Sequence, residues 1–181
     1  MIDEPAHDPE RPWIDATLRR FDHARSIDEL TAVVVQAAAL LLEVATIALY
    51  LRFGPGPAAQ LAGRHGYSAD DVFGFAELHP DDPYPLAEAL RTGEAIWLES
   101  PDAWAARYPR LTVQARRAQR SWAALPVACG GRAVGAIGLG WADAQTFVAP
   151  RRQVALDLAA ATARACIDRR LIAPDRANPT V

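Results

Sequence analysis

The chain has 181 residues, of which 51% are hydrophobic and 23% are charged, a composition typical of a folded domain rather than of a disordered chain. Its 19 basic residues are all arginine and stand against 22 acidic residues, so the net charge of −3 lacks the one-sided positive field of nucleic-acid-binding proteins. The two cysteines, Cys129 and Cys166, are too few for a disulfide scaffold or a cysteine-based zinc site, which favours a reducing cytoplasm. The acidic, proline-rich N-terminus lacks an apolar core and no uncharged apolar stretch reaches about 18 residues, so we expect neither a signal peptide nor a membrane span.

The ends of the chain are rich in proline and charge, which predicts tails at 1–11 and 172–181 around one folded domain, 12–171. The exclusive use of arginine suggests a GC-rich bacterial coding sequence. A first short helix is predicted because apolar residues recur at helical spacing between residues 13 and 21, and it is expected to end near residues 23–25. Its predicted apolar face consists of Trp13, Ile14, Leu18 and Phe21.

A second helix is predicted to begin after Ser26, since Ser26 and Glu29 have the spacing of a capping box before an apolar run that reaches Leu40 and Leu41. Alternating apolar residues then predict a half-buried strand over 46–53. Glycine and proline at 54–57 require a turn, and a weaker strand over 58–66 completes a hairpin.

Residues 67–83 are predicted to form a polar loop that is longer than most connections, and it includes Asp70, Asp71 and Asp82. A short helix from Pro85, capped by Gly93, and a strand over 95–98 follow. A helix capped by Ser100 contains Trp104, and a basic helix is predicted after it. The arginines of that basic helix, read as a solvated face, are Arg110, Arg116, Arg117 and Arg120.

The clearest hairpin joins a strand over 121–129 to a strand over 132–141 through Gly130-Gly131. A final helix is predicted from Pro150, with Val154, Leu158 and Ile167 on its apolar face. Tight hairpins demand antiparallel pairing, so the order of elements predicts an α+β sandwich.

The segment Ser121-Trp122-Ala123-Ala124-Leu125-Pro126-Val127, followed by the Gly-rich turn and the stretch from Val134 to Leu139, resembles the GAF domain family. The stretches 85–97 and 147–165 look like the helix-to-strand unit beside the pocket and the closing helix of that family, so the resemblance covers 14–171. It implies a GAF-like, PAS-related fold: a six-stranded antiparallel sheet with the first, second and last helices on one face and a ligand pocket on the other. Dimerisation through the terminal helices is also common in the family.

GAF domains bind cyclic nucleotides, tetrapyrroles, haem, amino acids or nothing known, and the sequence argues against several of these ligands. The cyclic-nucleotide signature includes a lysine, which this chain lacks, and residues 100–120 contain no cysteine to attach a bilin. The stretch from His79 to Pro83 only distantly resembles the Asp-Ile-Pro motif of bilin-binding members, and a solvated turn explains it better. His65 and His79 are scattered, so we expect neither a metal nor a haem site there. The cofactor stays unknown.

Two further patterns bear on whether the domain is an enzyme. GAF-fold free-methionine sulfoxide reductases use a nucleophilic and a resolving thiol in the pocket, a role that would fall on Cys129. Its place at a strand end, with Cys166 on an apolar helix, favours inert thiols instead. Glycines at 135, 138 and 140 lie inside a strand and open no helix, so they do not form a dinucleotide loop.

Aromatic residues are concentrated in the part of the chain that would enclose a GAF pocket, and one arginine among them can recognise an anion. The predicted ligand-binding residues are Tyr84, Trp97, Trp104, Arg107, Tyr108 and Trp122. The sequence therefore predicts a non-catalytic, cytoplasmic, bacterial sensory or regulatory GAF domain that binds a small molecule and forms a homodimer. Its expected downstream partner is a kinase, a phosphatase or a transcription regulator, with no role for nucleic acid or membrane. The alternatives are a redox enzyme that uses Cys129 and a ligand-free dimerisation module.

Overall fold

In the computed structural model, residues 11–68, 75–109 and 119–172 are described. The first part contains α1 (Arg11–Leu18), a 3-10 turn (Arg19–His23), α2 (Ile27–Leu42), β1 (Thr46–Leu51) and β2 (Ala59–His65). The next part contains β3 (Glu77–Leu78), α3 (Pro85–Thr92), β4 (Ile96–Leu98) and α4 (Pro101–Arg107). The last part contains β5 (Ser121–Cys129), β6 (Arg132–Trp141) and α5 (Ala149–Asp168). The predicted tails, apart from one residue of each, and most of the predicted basic helix lie outside these ranges.

One six-stranded sheet runs through the molecule in the order β3-β2-β1-β6-β5-β4, and every neighbouring pair is antiparallel. This confirms the predicted fold. The β5–β6 hairpin turns at Gly130 and Gly131, whose φ values of +61° and +79° are those a two-residue turn between twisted strands requires. In the neighbouring β1–β6 pair, Ala48 and Gly138 lie opposite each other.

Helices α1, α2 and α5 cover one face of the sheet, with α2 and α5 packed against each other. The N-terminus of α2 is capped as predicted: the Ser26 hydroxyl accepts from the Glu29 backbone N–H at 3.1 Å, and the Glu29 carboxylate accepts from the Arg25 N–H at 2.8 Å. The other face is covered by α3 and α4. Strand β1 is therefore buried along its whole length, and the prediction of a half-buried strand was wrong.

Trp13 was predicted on the buried face of the first helix, but it is 49% exposed. Thr17 is buried in that helix instead, because its hydroxyl donates to the Trp13 carbonyl at 3.1 Å and so needs no partner from solvent. Leu40 and Ile167, which were predicted within apolar stripes, are also exposed, at 53% and 40%. These three exposed residues lie on α1, α2 and α5, the helices that cover one face of the sheet.

Candidate functional site

The face of the sheet opposite α1, α2 and α5, here called the pocket side, carries a second apolar core. Its floor is made of small residues, with Ala48 on β1, Ala124 on β5 and Ala136 on β6. Leu86 and Leu90 of α3 and aromatic residues of α4 and β5 pack over this floor. At Gly138 on β6 a Cβ atom would lie 2.7 Å from Cζ2 of Trp122, so the indole rests directly on the backbone of β6. The small floor therefore lets flat rings approach the sheet closely.

An open cleft of about 370 Å³ lies at the outer surface of this layer, where the loop before α3 meets the end of α4. Three of the predicted ligand-binding residues, Tyr84, Arg107 and Tyr108, line it. Tyr84 is fixed by an edge-on contact with Phe75, whose ring centroid lies 5.4 Å away. The remaining lining residues are Asp81, Asp82, Pro83, Glu88, Arg91 and Pro109.

Glu88 of α3 is the central polar group of the cleft, and it was not among the predicted site residues. Its carboxylate accepts hydrogen bonds from the Tyr108 hydroxyl and from Nη2 of Arg107, each at 2.5 Å. The hydrogen bond from Tyr108 is the largest cause, and together with the bond from Arg107 it holds the pKa of Glu88 below its ordinary value. Burial and the bond to Glu88 raise the pKa of Tyr108. Arg107 is thus already paired with a carboxylate of the same chain and ties α4 to α3.

The substitution Glu88→Gln is expected to lower the free energy of unfolding by about 1–2 kcal/mol at pH 7, because it removes a charged acceptor from two hydrogen bonds. The pKa of Glu88 is lower in the folded state than its ordinary value of 4.5. The contribution of the Glu88 carboxylate to the free energy of unfolding is therefore complete above pH 4.5 and is lost as the pH falls through the pKa of the folded state. Urea unfolding of Glu88→Gln and of the wild type, measured from pH 7 to about pH 3, should show that the difference between their free energies of unfolding becomes smaller as the pH falls.

The matched control is Glu94→Gln, which removes the same charge from an exposed position just after α3. This variant is expected to stay within about 0.5 kcal/mol of wild type at every pH. A Glu88→Gln deficit that persists unchanged at pH 3 would contradict the assigned role of the carboxylate.

Trp104 and Trp122 lie within the apolar core of the pocket side, next to Tyr108. Their ring centroids are 5.3 Å apart with an interplanar angle of 35°, and each residue is only 5% exposed. Both indole Nε1 atoms are buried without a hydrogen-bond partner within the part of the chain that the structure describes. A buried donor without an acceptor costs roughly 1–3 kcal/mol, so two of them side by side are unusual in a native core.

Trp97 lies on the opposite face of the sheet from the other predicted ligand-binding residues. It stands on β4 between Ile96 and Leu98, which both face the pocket side. Its ring contacts Phe147 at 5.1 Å, and the guanidinium of Arg152 lies 5.3 Å from its centroid. The structure therefore groups five of the six predicted residues and places Trp97 with the helices.

A buried polar network at the other end of the pocket side was not predicted. Nε2 of Gln119, a residue that is 3% exposed, lies 2.6 Å from the Thr46 hydroxyl and 3.0 Å from the Tyr67 hydroxyl. Tyr50 donates to the Phe75 carbonyl at 2.7 Å, and burial raises its pKa to about 12. These bonds attach Gln119 and Phe75 to β1 directly, and Tyr67 to β1 through Gln119.

No group of three or more His, Cys, Asp or Glu residues that could hold a metal ion occurs within 11–68, 75–109 and 119–172. Cys166 on α5 is buried, which raises its pKa to about 12. The side chain of Cys129 lies outside the described part, as do Asp70, Asp71, Arg110, Arg116 and Arg117. No helix in the described ranges has the length and apolarity to cross a membrane.

Comparison with protein-family models matches residues 24–168 to the GAF domain family, and the chain therefore belongs to that family. The fold and the flat-floored pocket side described above agree with this assignment. Comparison with curated protein sequences gives no match.

Solved structures with the same fold include GAF domains of other proteins and a free methionine-R-sulfoxide reductase. The GAF domain of an Acinetobacter phosphoenolpyruvate-protein phosphotransferase is 14% identical, with a TM-score of 0.72 over 90% of this chain and 96% of that one. A GAF domain/HD domain protein of Geobacter sulfurreducens is 21% identical, with a TM-score of 0.66 over 82% and 97%. The free methionine-R-sulfoxide reductase of Neisseria meningitidis, solved with its substrate, is 14% identical, with a TM-score of 0.69 over 88% and 89%. At these identities the likeness establishes the fold alone.

Proposed function

We propose that this GAF domain is a non-catalytic sensory or regulatory module of the bacterial cytoplasm, which binds a small molecule on its pocket side and dimerises through its terminal helices. The observation that carries the proposal is the grouping of Tyr84, Trp104, Arg107, Tyr108 and Trp122 on one side of the sheet. An aromatic wall beside a few fixed polar groups is the usual make-up of a small-molecule site. Trp97 is left out of the proposed site because it lies on the other face.

The exposed apolar side chains support self-association through the helices. Of the large hydrophobic residues that are exposed in the described part, four lie on α1, α2 and α5: Trp13, Leu40, Leu156 and Ile167, with 49%, 53%, 38% and 40% exposure. Exposed apolar side chains concentrated on one group of helices favour a protein–protein contact there. In a dimer of this kind α5 would pass the state of the pocket to a kinase, a phosphatase or a transcription regulator.

The reductase of Neisseria meningitidis has the same fold, and its activity would come to this chain only through a reactive thiol. Cys166 is buried on the helix side and its pKa is raised, which disfavours the thiolate that such chemistry needs. Cys129 is the one other thiol. Methionine sulfoxide reduction that is lost in Cys129→Ser would replace the non-catalytic proposal with an enzymatic one.

Native and denaturing mass spectrometry of the purified protein tests both parts of the proposal. We expect the native spectrum to show a dimer that carries a small molecule, and the denaturing spectrum to show the bare chain, because the ligand is held without a covalent bond. A monomer at micromolar concentration would overturn dimerisation, and a bare dimer that binds no compound in a thermal-shift screen would favour the ligand-free dimerisation module.

Leu156→Glu is expected to convert the dimer to a monomer, because it places a charge among the exposed apolar residues of α5. Phe53→Glu is the matched control: Phe53 is 37% exposed, but it follows β1 and does not lie on a helix. Equal loss of the dimer in both variants would contradict the assignment of the helices as the interface.

A further inference from the structure

The open cleft on the pocket side carries two opposite charges that are not paired with each other. Its volume of about 370 Å³ is in the range of small-molecule sites. Asp81 and Arg91 both line this cleft and are exposed. Within the described ranges neither of their side chains has a hydrogen bond or an ion pair, whereas Glu88 and Arg107 in the same cleft are bound to each other. The cleft therefore presents one free carboxylate and one free guanidinium.

Helix α3 sets the distance between the residues that carry these two charges. Tyr84, Glu88 and Arg91 are spaced by four and three residues, so they lie on one face of the helix, and all three line the cleft. With a rise of about 1.5 Å per residue, the backbone of Arg91 lies about 10 Å beyond that of Tyr84 along the helix axis. Asp81 precedes Tyr84 in the chain, so the two charged residues flank α3 at opposite ends.

The turn that carries Asp81 is held by hydrogen bonds of the residues beside it. The Asp82 carboxylate accepts from the His79 N–H at 2.8 Å, and the Asp82 N–H donates to the His79 carbonyl at 3.0 Å. The Tyr84 N–H donates to the Asp82 carbonyl at 2.8 Å. Because Asp82 is used in holding the turn, Asp81 is the carboxylate of this turn that is available to a ligand.

The rest of the cleft offers contacts to the middle of an elongated ligand. Pro83, Pro109 and the rings of Tyr84 and Tyr108 supply apolar surface. The Glu88 carboxylate accepts two hydrogen bonds, from Arg107 and Tyr108. A carboxylate has about four acceptor positions, so Glu88 can accept a further hydrogen bond from an N–H group of the ligand.

We infer that the cleft binds a short zwitterionic peptide of about three residues, with its ammonium group at Asp81 and its carboxylate at Arg91. An extended chain spans about 3.3–3.6 Å per residue, so three residues match the length of α3 between the two charges. A single α-amino acid carries both charges on one carbon atom and cannot reach both residues. This inference rests on the proposed function and names the chemical class of the ligand on the pocket side.

The probes are tri-alanine, its N-acetyl form, its C-terminal amide and free alanine, each titrated into the ¹⁵N-labelled full-length protein. Because Asp81 and Arg91 are exposed, we expect weak binding, which shifts of the α3 backbone amide signals can follow. Tri-alanine should bind most tightly. Each blocked form lacks one charge and should bind up to roughly fivefold more weakly, since an exposed ion pair contributes at most about this factor. Alanine should bind more weakly still, and the signals of α5 on the other face of the sheet should not move.

Two variants connect each charge of the peptide to one residue. Arg91→Gln should abolish the preference for tri-alanine over its amide and keep the preference over the N-acetyl form. Asp81→Asn should do the reverse. Because both positions are exposed, neither substitution should change the midpoint of thermal unfolding appreciably. Arg120→Gln and Asp143→Asn remove the same charges from exposed positions outside the lining of the cleft, and these matched controls should leave all four affinities unchanged.

Equal binding of tri-alanine and both blocked forms would overturn the zwitterionic class of the ligand. Alanine that binds as tightly as tri-alanine would overturn the spacing set by α3. A control variant that loses as much affinity as its counterpart in the cleft would overturn the roles of Asp81 and Arg91. If no probe moves the α3 signals, the inference is wrong, and the ligand retained in the native mass spectrum then decides the proposed function separately.

Discussion

Replacement of Trp141 by alanine is expected to lower the free energy of unfolding by about 3–5 kcal/mol, which is the range for removing a large aromatic side chain from a core. Trp141 is 2% exposed, stands at the end of β6, and packs edge-on against Phe147 with centroids 5.1 Å apart. The substitution also removes the donor to the Leu42 carbonyl, so the last turn of α2 loses a hydrogen bond to the sheet. Urea unfolding followed by circular dichroism measures the change.

Two variants separate the causes of this loss. Trp141→Phe keeps most of the ring volume and should cost less, because its main deficit is the hydrogen bond. Trp13→Ala removes the same side chain from a position that is 49% exposed and should cost far less than Trp141→Ala. Similar losses at positions 13 and 141 would contradict the assigned core.

Gly66→Ala is expected to be the most damaging of the glycine substitutions at positive φ, at roughly 3 kcal/mol or more. Gly66 follows β2 with a φ of +73°, a conformation that costs an L-residue roughly 1–2 kcal/mol. In addition, its Cβ would collide with the backbone carbonyl oxygen of Ala45, which cannot move without disturbing the start of β1. Overpacking of this kind typically adds about 1–3 kcal/mol.

The chain offers a graded pair of controls for this prediction. Gly93→Ala has almost the same φ, +72°, but open space around the added Cβ, so it measures the backbone cost alone. Gly54→Ala has neither a positive φ nor a neighbour within 4 Å. Thermal unfolding of the three variants should give losses in the order 66, 93, 54, and an equal loss at 66 and 93 would show that the collision with Ala45 is relieved without cost.

Five of the six strands were predictable from the sequence because strand alternation and turn residues are local signals, whereas β3 lies within the stretch 67–83 that was predicted as a loop. The pair Gly130-Gly131 fixes one hairpin by its backbone conformation alone, and the capping by Ser26 and Glu29 depends on residues three apart. Burial at the helix surface was less predictable. Trp13 was assigned to the core in place of Thr17, since hydropathy does not register that a threonine hydroxyl can bond to its own helix.

Two residues of the candidate site were assigned wrongly or missed, Trp97 and Glu88, and the physical reason differs between them. Trp97 was grouped with the other aromatics because it lies in the stretch expected to enclose the pocket, and the apolar run Ile96-Trp97-Leu98 has no alternation that would assign its middle residue to the other face. Glu88 was missed because its partners, Arg107 and Tyr108, are 19 and 20 residues away and meet it only when α4 folds over α3.

The side chains of strand β4 face both sides of the sheet. It is only three residues long, lies at the edge of the sheet and is bonded to a single neighbour, β5. Ile96 and Leu98 face the pocket core, while Trp97 between them contacts Phe147 and Arg152. Because successive side chains share one backbone, β4 joins the two cores of the domain: two of its side chains belong to the pocket core, and the one between them contacts Arg152 in the first turn of α5.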